Sequence, residues 1–280
     1  MSTECLIVIV THNSQKHIQW CIDGLASSQR DLNIKIIDSG SSDTTYLDNL
    51  LTKHQLDIIK KDNIGFVAGN NFVLNQPMNY KWVLLLNPDA RIEGNNLDEL
   101  IDYANNEKYN DVGILSVPLI RFSIDEMEEL PVFDSLGITS TTYGKWYDIG
   151  SGENIKELQK HVSEIPAVCG AFMLIRKIAL EQCLDKSKNK GLESSYYMYK
   201  EDIELCLRFR RQKWKILMVN HLKAYHCRGW NKTRKEIAFW AKYHSARNDL
   251  DLALRYQRKY LPYAVSKFLW VNVIERFNLI

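Results

Sequence analysis

A chain of 280 residues with 45% apolar and 11% aromatic side chains has room for one large core or two small ones, and a net charge of +2 leaves no footprint for nucleic acid. Its six cysteines (Cys5, Cys21, Cys169, Cys183, Cys206, Cys227) include no C-x-x-C pair, which reads as reduced thiols of a cytosolic protein rather than a zinc site or a disulfide frame. The N-terminus lacks a basic n-region, Cys5–Val10 is too short for a signal peptide, and no run of about 18 uncharged apolar residues offers a membrane span.

The β-branched run Cys5–Val10 predicts a central parallel strand. Thr11-His12-Asn13-Ser14 is a turn in which Asn13 or Ser14 can cap a helix, and Ile18, Cys21, Ile22 and Leu25 follow at helical spacing. Ile34–Ile37 is a second strand, ending in Asp38-Ser39-Gly40-Ser41-Ser42-Asp43, and Leu47, Leu50 and Leu51 predict a second helix starting near Ser42. This β-α-β-α order argues for a doubly wound α/β sheet. Asp38, at a strand end, can accept a hydrogen bond from a base N–H or a ribose hydroxyl; both it and Asp43 can also simply make turns. No G-x-x-x-x-G-K-[ST] and no G-x-G-x-x-G occurs, which disfavours the ordinary triphosphate and dinucleotide folds.

Asp57–Lys60 is a short third strand. In Asn63-Ile64-Gly65-Phe66-Val67-Ala68-Gly69-Asn70-Asn71, two glycines let backbone approach a ligand, and the asparagines can start a helix or read a base edge. Trp82–Leu86 is an apolar strand that stops at Asn87-Pro88-Asp89, because proline has no N–H for the ladder. It delivers an amide and a carboxylate to the carboxyl edge of the sheet, where ligands bind in open α/β folds. A carboxylate there suits a hard divalent cation bridging two phosphates.

Leu97, Leu100, Ile101 and Ala104 predict a helix, and Val112–Val117 a strand. Residues 121–162 read as an irregular polar excursion. Ile165–Arg176 is expected as one strand with Gly170 and Ala171 at its centre, and residues 185–195 as a mobile polar loop, either a lid or plain solvent loop. The aromatic run Tyr196–Tyr199 precedes Glu201 and Asp202 at a helix start. Acids are favoured there by the helix dipole, and a carboxylate among aromatics also suits a base for an attacking hydroxyl. Ile216–Val219 is a strand before Ala224-Tyr225-His226-Cys227-Arg228-Gly229-Trp230, and Arg228, Lys232 and Arg234 are either a solvated face or phosphate partners. A long helix is expected from Glu236 to Tyr260, with a basic, aromatic tail from Leu261 to Ile280.

The series Val10-Thr11-His12-Asn13, Asp38 to Asp43, Asn63-Ile64-Gly65-Phe66 with Gly69-Asn70-Asn71, and Asn87-Pro88-Asp89 resembles family 2 glycosyltransferases, most closely the rhamnosyltransferase-like branch that builds bacterial surface polysaccharide. The resemblance implies a GT-A fold: a Rossmann-like, mostly parallel central sheet flanked by helices over residues 1–230, with a nucleotide-sugar half (1–118), an acceptor half (119–230), and a C-terminal helical extension (231–280). It implies a metal-dependent inverting transferase using a nucleotide-diphosphate sugar. Thr11, Asn13, Asp38, Asn63, Gly65, Gly69, Asn70, Asn87, Asp89, Gly170 and Ala171 would surround the donor. Asn87 stands where the family motif has its first Asp, so its part is a direct, water-mediated or ribose contact.

The Glu-Asp pair matches a motif whose Asp is the base, which makes Asp202 catalytic and Glu201 an acceptor binder or orienter. His226 with Gly229 matches a His-x-x-Gly element, so Asp89 and His226 would hold Mn2+ or Mg2+. Tyr243-His244-Ser245-Ala246-Arg247-Asn248 resembles a Tyr-x-x-x-Arg-Asn element of the same branch. dTDP-rhamnose is the implied donor, with UDP-hexose, UDP-galactofuranose or a non-catalytic nucleotide- or glycan-binding relative as alternatives. A nucleotidyltransferase would want a basic Gly-rich loop where Thr11–Ser14 stands. The acceptor would be a glycan or a lipid-linked glycan. The tail then fits three places: the inner face of the cell membrane, its own domain, or a second subunit in a homodimer.

Overall fold

The computed structural model describes residues 4–77, 79–155, 161–228 and 234–277. The first half alternates as the apolar runs dictate: β1 (Cys5–Thr11), α1 (Ile18–Gly24), β2 (Asn33–Ser39), β3 (Gln55–Lys61), α2 (Gly65–Leu74), β4 (Trp82–Leu86), a two-residue β5 (Ala90–Arg91) and α3 (Gly94–Asn105). Then come β6 (Val112–Ser116), β7 (Leu119–Ser123), β8 (Glu128–Ser135), β9 (Ile138–Ser140), β10 (Trp146–Asp148), β11 (Val162–Glu164), β12 (Phe172–Arg176) and α4 (Lys177–Gln182). The chain ends with α5 (Glu201–Arg211), β13 (Lys215–Val219), β14 (Ala224–His226), α6 (Phe239–Arg255), α7 (Leu261–Leu269) and a π-helical turn, Trp270–Glu275.

Eight strands form the main sheet in the order β11-β13-β6-β12-β4-β1-β2-β3. The pairings of β1 with β2 and β4, of β2 with β3 and of β6 with β13 are parallel; β12 runs against both β4 and β6, and β11 against β13. Six strands therefore share one direction. Successive residues of β1 serve opposite faces. Ile7 and Ile9 pack with α1 and α3 residues such as Ile22 and Leu100, whereas Leu6, Val8 and Val10 pack with Val67, Val73 and Ile203 of α2 and α5.

The direction of β12 matters for the site. Because Phe172 pairs with Leu86 in antiparallel register, Gly170 and Ala171, which precede β12, lie at the same edge as the residues that follow β4. A four-stranded sheet, β5-β14-β7-β8, crosses that edge, and the pairing of His226 with Ala90 brings His226 beside Asp89.

Several local expectations give way to tertiary structure. The helix expected from Ser42 to Leu51 is only a 3-10 turn, Thr45–Asn49: Asp43 Oδ1 accepts the Thr45 N–H, β-branched Thr44 and Thr45 resist helix, and Leu51 is exposed. The strand expected over Ile165–Arg176 keeps only its last five residues, because a turn in which Cys169 O accepts the Phe172 N–H sits at Gly170. The excursion at 121–162 contains β8 to β10, whose short, mixed-polarity strands carry no clean alternation.

The 185–195 loop is pinned. Asp185 accepts the N–H groups of Ser187, Asn189 and Ser194, and fully buried Glu193 pairs with Arg255 at 2.7 Å. The last long helix breaks after Arg255 and restarts with Pro262 in its first turn. Among the described residues no helix is long and apolar enough to cross a membrane.

Candidate functional site

A cavity of about 870 Å³ opens at the carboxyl edge of β1, β2 and β4. Thr11, Asn13, Asn63, Gly65, Asn87 and Asp89, all singled out from sequence, line it. Its loops are laced together. The Asn13 N–H donates to Ser41 Oγ at 2.7 Å, Asn13 Oδ1 accepts the Ser42 N–H, and Asn63 Oδ1 accepts Tyr197 OH at 2.8 Å. Gly65 sits at φ +80°, a conformation that glycine alone takes without cost.

Three expected residues stand behind this wall rather than in it. Asp38 is buried, accepting from Thr11 Oγ1 at 3.1 Å and the Ser41 N–H at 3.0 Å, so its carboxylate ties the two loops together. Gly69 lets α2 lie against β1: a Cβ there would come within 2.8 Å of Val10 Cγ1. Asn70 donates to the carbonyl of Phe66 at 3.0 Å and is buried.

At the end of β4, Asp89 and His226 face each other, with Oδ1 and Nε2 3.5 Å apart. His226 Nδ1 bonds Asp134 Oδ2 at 2.8 Å, and Arg228 holds the other Asp134 oxygen at 3.0 Å and Asp148 at 2.7 Å. Burial works against the imidazolium, but the charges of Asp89 and Asp134 outweigh it and push His226 up to about 10. Burial likewise opposes the Asp89 carboxylate, and His226 overcomes it, holding Asp89 below the usual range.

These residues fit a divalent cation. A carboxylate behind a histidine fixes the ring for metal binding, and Asn87 Oδ1, in the same turn as Asp89, is buried without a partner. Among the described residues no group of three or more His, Cys, Asp or Glu is placed to hold a metal by itself, so a metal held by Asp89 and His226 would need other donors as well. Gly229 and Lys232 lie outside the described residues, and Arg234 pairs with Glu275 at 2.5 Å.

A second cavity, about 360 Å³, contains Glu201 and Asp202 in its lining, with Asp148 and Arg228 opposite. Asp202 Oδ2 accepts the Gly170 N–H at 3.0 Å and Oδ1 accepts the Ile203 N–H at 2.8 Å. Ala171 O accepts the Asn87 N–H at 3.0 Å. Gly170 and Ala171 thus join Asp202 to the Asn-Pro-Asp turn instead of lining the first cavity. Burial raises both acids. Glu201 is pushed up to about 8 by burial and by the charge of Asp202, and its Oε2 is buried without a partner.

Helix α6 builds part of both cavities. Trp240 and His244, one turn apart on α6, line the first; Ala241, Lys242 and Ser245 line the second. Neither Trp240 nor His244 was singled out from sequence, although the Tyr-x-x-x-Arg-Asn element includes His244. Asp134 and Asp148, inside the supposed excursion, had no local signal at all.

Residues 6–184 match the family model of glycosyl transferase family 2. The rhamnosyltransferase WbbL of Escherichia coli is 24% identical over 227 residues, 79% of this chain and 82% of that protein. An N-acetylglucosaminyl-diphospho-decaprenol L-rhamnosyltransferase of Mycobacterium tuberculosis is 22% identical over 258 residues, 86% of this chain and 81% of that protein. The structure resembles GalNAc-T7 with UDP, GalNAc and Mn2+ (TM-score 0.69, 12% identity), covering 98% of this chain but 53% of that one. It also resembles the mannosyltransferase PcManGT of Pyrobaculum calidifontis with GDP-Man and Mn2+ (TM-score 0.59, 13% identity), covering 98% and 71%. The sheet order, the cavity at its carboxyl edge and the family match lead to one statement: the chain belongs to glycosyl transferase family 2 and has the GT-A fold.

Proposed function

We propose that this protein is a metal-dependent, inverting glycosyltransferase that moves rhamnose from dTDP-rhamnose to a hydroxyl of a glycan or lipid-linked glycan in cell-surface polysaccharide synthesis. The carrying observation is the pair of backbone hydrogen bonds through consecutive residues, Gly170 N–H to Asp202 and Asn87 N–H to Ala171 O. They hold a carboxylate in one cavity at a set distance from the turn that faces the other. The choice of sugar rests on the names of the two rhamnosyltransferases.

In this reading the nucleoside occupies the 870 Å³ cavity and the acceptor the 360 Å³ one. Asp202 takes the proton of the acceptor hydroxyl as its oxygen attacks the anomeric carbon from the face opposite the leaving diphosphate. Two backbone N–H groups orient the Asp202 carboxylate, and the Lys200 charge together with them offsets part of the burial that raises its pKa. Glu201, kept neutral by burial, has a proton to donate to an acceptor oxygen. Bound Mn2+ or Mg2+, which Asp89 and His226 would hold, supplies charge to stabilise the leaving diphosphate.

The exposed Val265, Leu269, Trp270 and Val273 on the last two helical segments, with Phe277 just beyond them, support contact with the cytoplasmic face of a membrane that carries the acceptor lipid. The test is a thermal-shift panel of UDP, dTDP, GDP and CDP with and without Mn2+, followed by transfer from the matching nucleotide sugar. A rise with dTDP only when Mn2+ is present, and loss of transfer in Asp202→Asn, are expected. A folded protein that no nucleotide stabilises overturns the reading.

A further inference from the structure

Tyr199 and Lys200 both have left-handed backbone, φ 70° and 69°, and neither is glycine. L side chains disfavour this region, and two such residues in succession persist only where the surroundings hold them. Their position is specific: Lys200 is the residue before α5, so the pair turns the chain from Tyr197 and Met198, in the wall of the first cavity, into Glu201 and Asp202, in the wall of the second.

The grip on this turn comes from α6. Asn248 is 1% exposed, and its amide nitrogen donates to Met198 O at 3.1 Å and Tyr199 O at 2.7 Å. Its backbone carbonyl accepts Tyr196 OH at 3.4 Å. Two carbonyls meeting at one point call for a neutral group with two N–H donors, which a side-chain amide provides and a carboxylate does not. Asn248 is in the lining of neither cavity.

We propose that Asn248 is a positioning residue for sugar transfer: by clamping the Tyr199–Lys200 turn it sets where Asp202 and Glu201 stand relative to the donor. This rests on the reading of Asp202 as the base. The side chain acts only through the turn, so what replaces it must restore the turn to restore the rate. Glycine at position 200 takes a positive φ without steric cost and so lessens what the clamp must hold, although Tyr199 stays left-handed.

The experiment compares wild type, Asn248→Ala, Asn248→Ser, Lys200→Gly, the double variant Asn248→Ala/Lys200→Gly, and Asp202→Asn. Nucleotide release is followed from dTDP-rhamnose, or from the sugar of whichever nucleotide most raises the wild-type melting temperature. In Asn248→Ala, kcat falls about 10- to 100-fold, the range that misplacing a catalytic group costs, while the donor KM stays within about twofold. Asn248→Ser, which keeps one donor, lies between, and stands in if the alanine variant does not fold. The double variant recovers part of the loss when compared with Lys200→Gly alone. Unchanged kcat, a rise in donor KM alone, or no recovery in the double variant overturns the assignment. Normal transfer by Asp202→Asn sinks the base reading instead; a dead Asp202→Asn beside a normal Asn248→Ala sinks this inference only.

Discussion

Asp202 accepts the backbone N–H of Gly170 at 3.0 Å, and a Cβ on Gly170 would stand 3.3 Å from Asp202 Cβ. The proposed base is therefore held by a residue with no room to grow. Gly170 is not at positive φ, so alanine there meets crowding and not backbone strain.

Gly170→Ala should push the carboxylate aside by a few tenths of an ångström without unfolding the chain. We expect kcat to fall roughly 10-fold, in line with the cost of small misplacements, and the nucleotide-dependent thermal shift to stay at its wild-type size. Calorimetry or dye-based melting with dTDP and Mn2+, beside steady-state kinetics, checks both halves.

Glu201 makes stability depend on pH. Its pKa is raised from 4.5 to about 8 by burial, with Asp202 adding. A raised carboxyl pKa means the folded state prefers the neutral acid, so this contribution is complete below pH 4.5 and is lost as pH climbs to about 8. Glu201→Gln, uncharged throughout, should gain on wild type across that window, by roughly 2 kcal/mol or more at its upper end. Urea melts at pH 5 and pH 8 measure the difference; a gap that does not widen with pH refutes the prediction.

Asp134 never touches the cleft, yet it anchors His226 Nδ1 at 2.8 Å. Asp134→Asn should lower the Mn2+ affinity seen in nucleotide binding by about 10- to 100-fold, the usual cost of losing a histidine's outer carboxylate. His226→Ala should abolish the Mn2+-dependent part of the shift. Titrating Mn2+ at fixed dTDP reads both, and a wild-type curve from either variant rejects the metal assignment.

Arg255 joins α6 to the body of the protein through Glu193 at 2.7 Å and Glu204 at 3.0 Å, both fully buried. Arg255→Ala takes one cation from each of two buried carboxylates, while Glu204 keeps Arg208 at 2.9 Å and Glu193 keeps Lys186 at 3.8 Å, and should cost about 1–3 kcal/mol. Chemical denaturation gives the number, and a loss under about 1 kcal/mol would mean that water reaches these acids.

What could be read from the chain alone were features whose cause is local. β1 and β4 are buried on both faces, so they appear as continuous apolar runs, and the polar residues that stop them, Thr11, Asn13, Asn87 and Asp89, fall at the carboxyl edge by necessity. The Glu201–Asp202 pair was legible because a helix start follows an aromatic run. Tertiary structure alone decided the rest. It turned Asp38 inward, because Thr11 and Ser41 close over it, and it put Gly69 to use in packing α2 on Val10. It brought Asp134 to His226 across 92 residues and Asn248 to Tyr199 across 49, through short strands and a helix whose own sequence names no partner. Apolar periodicity reports which face of an element is buried; it carries no record of which distant polar group will meet it there.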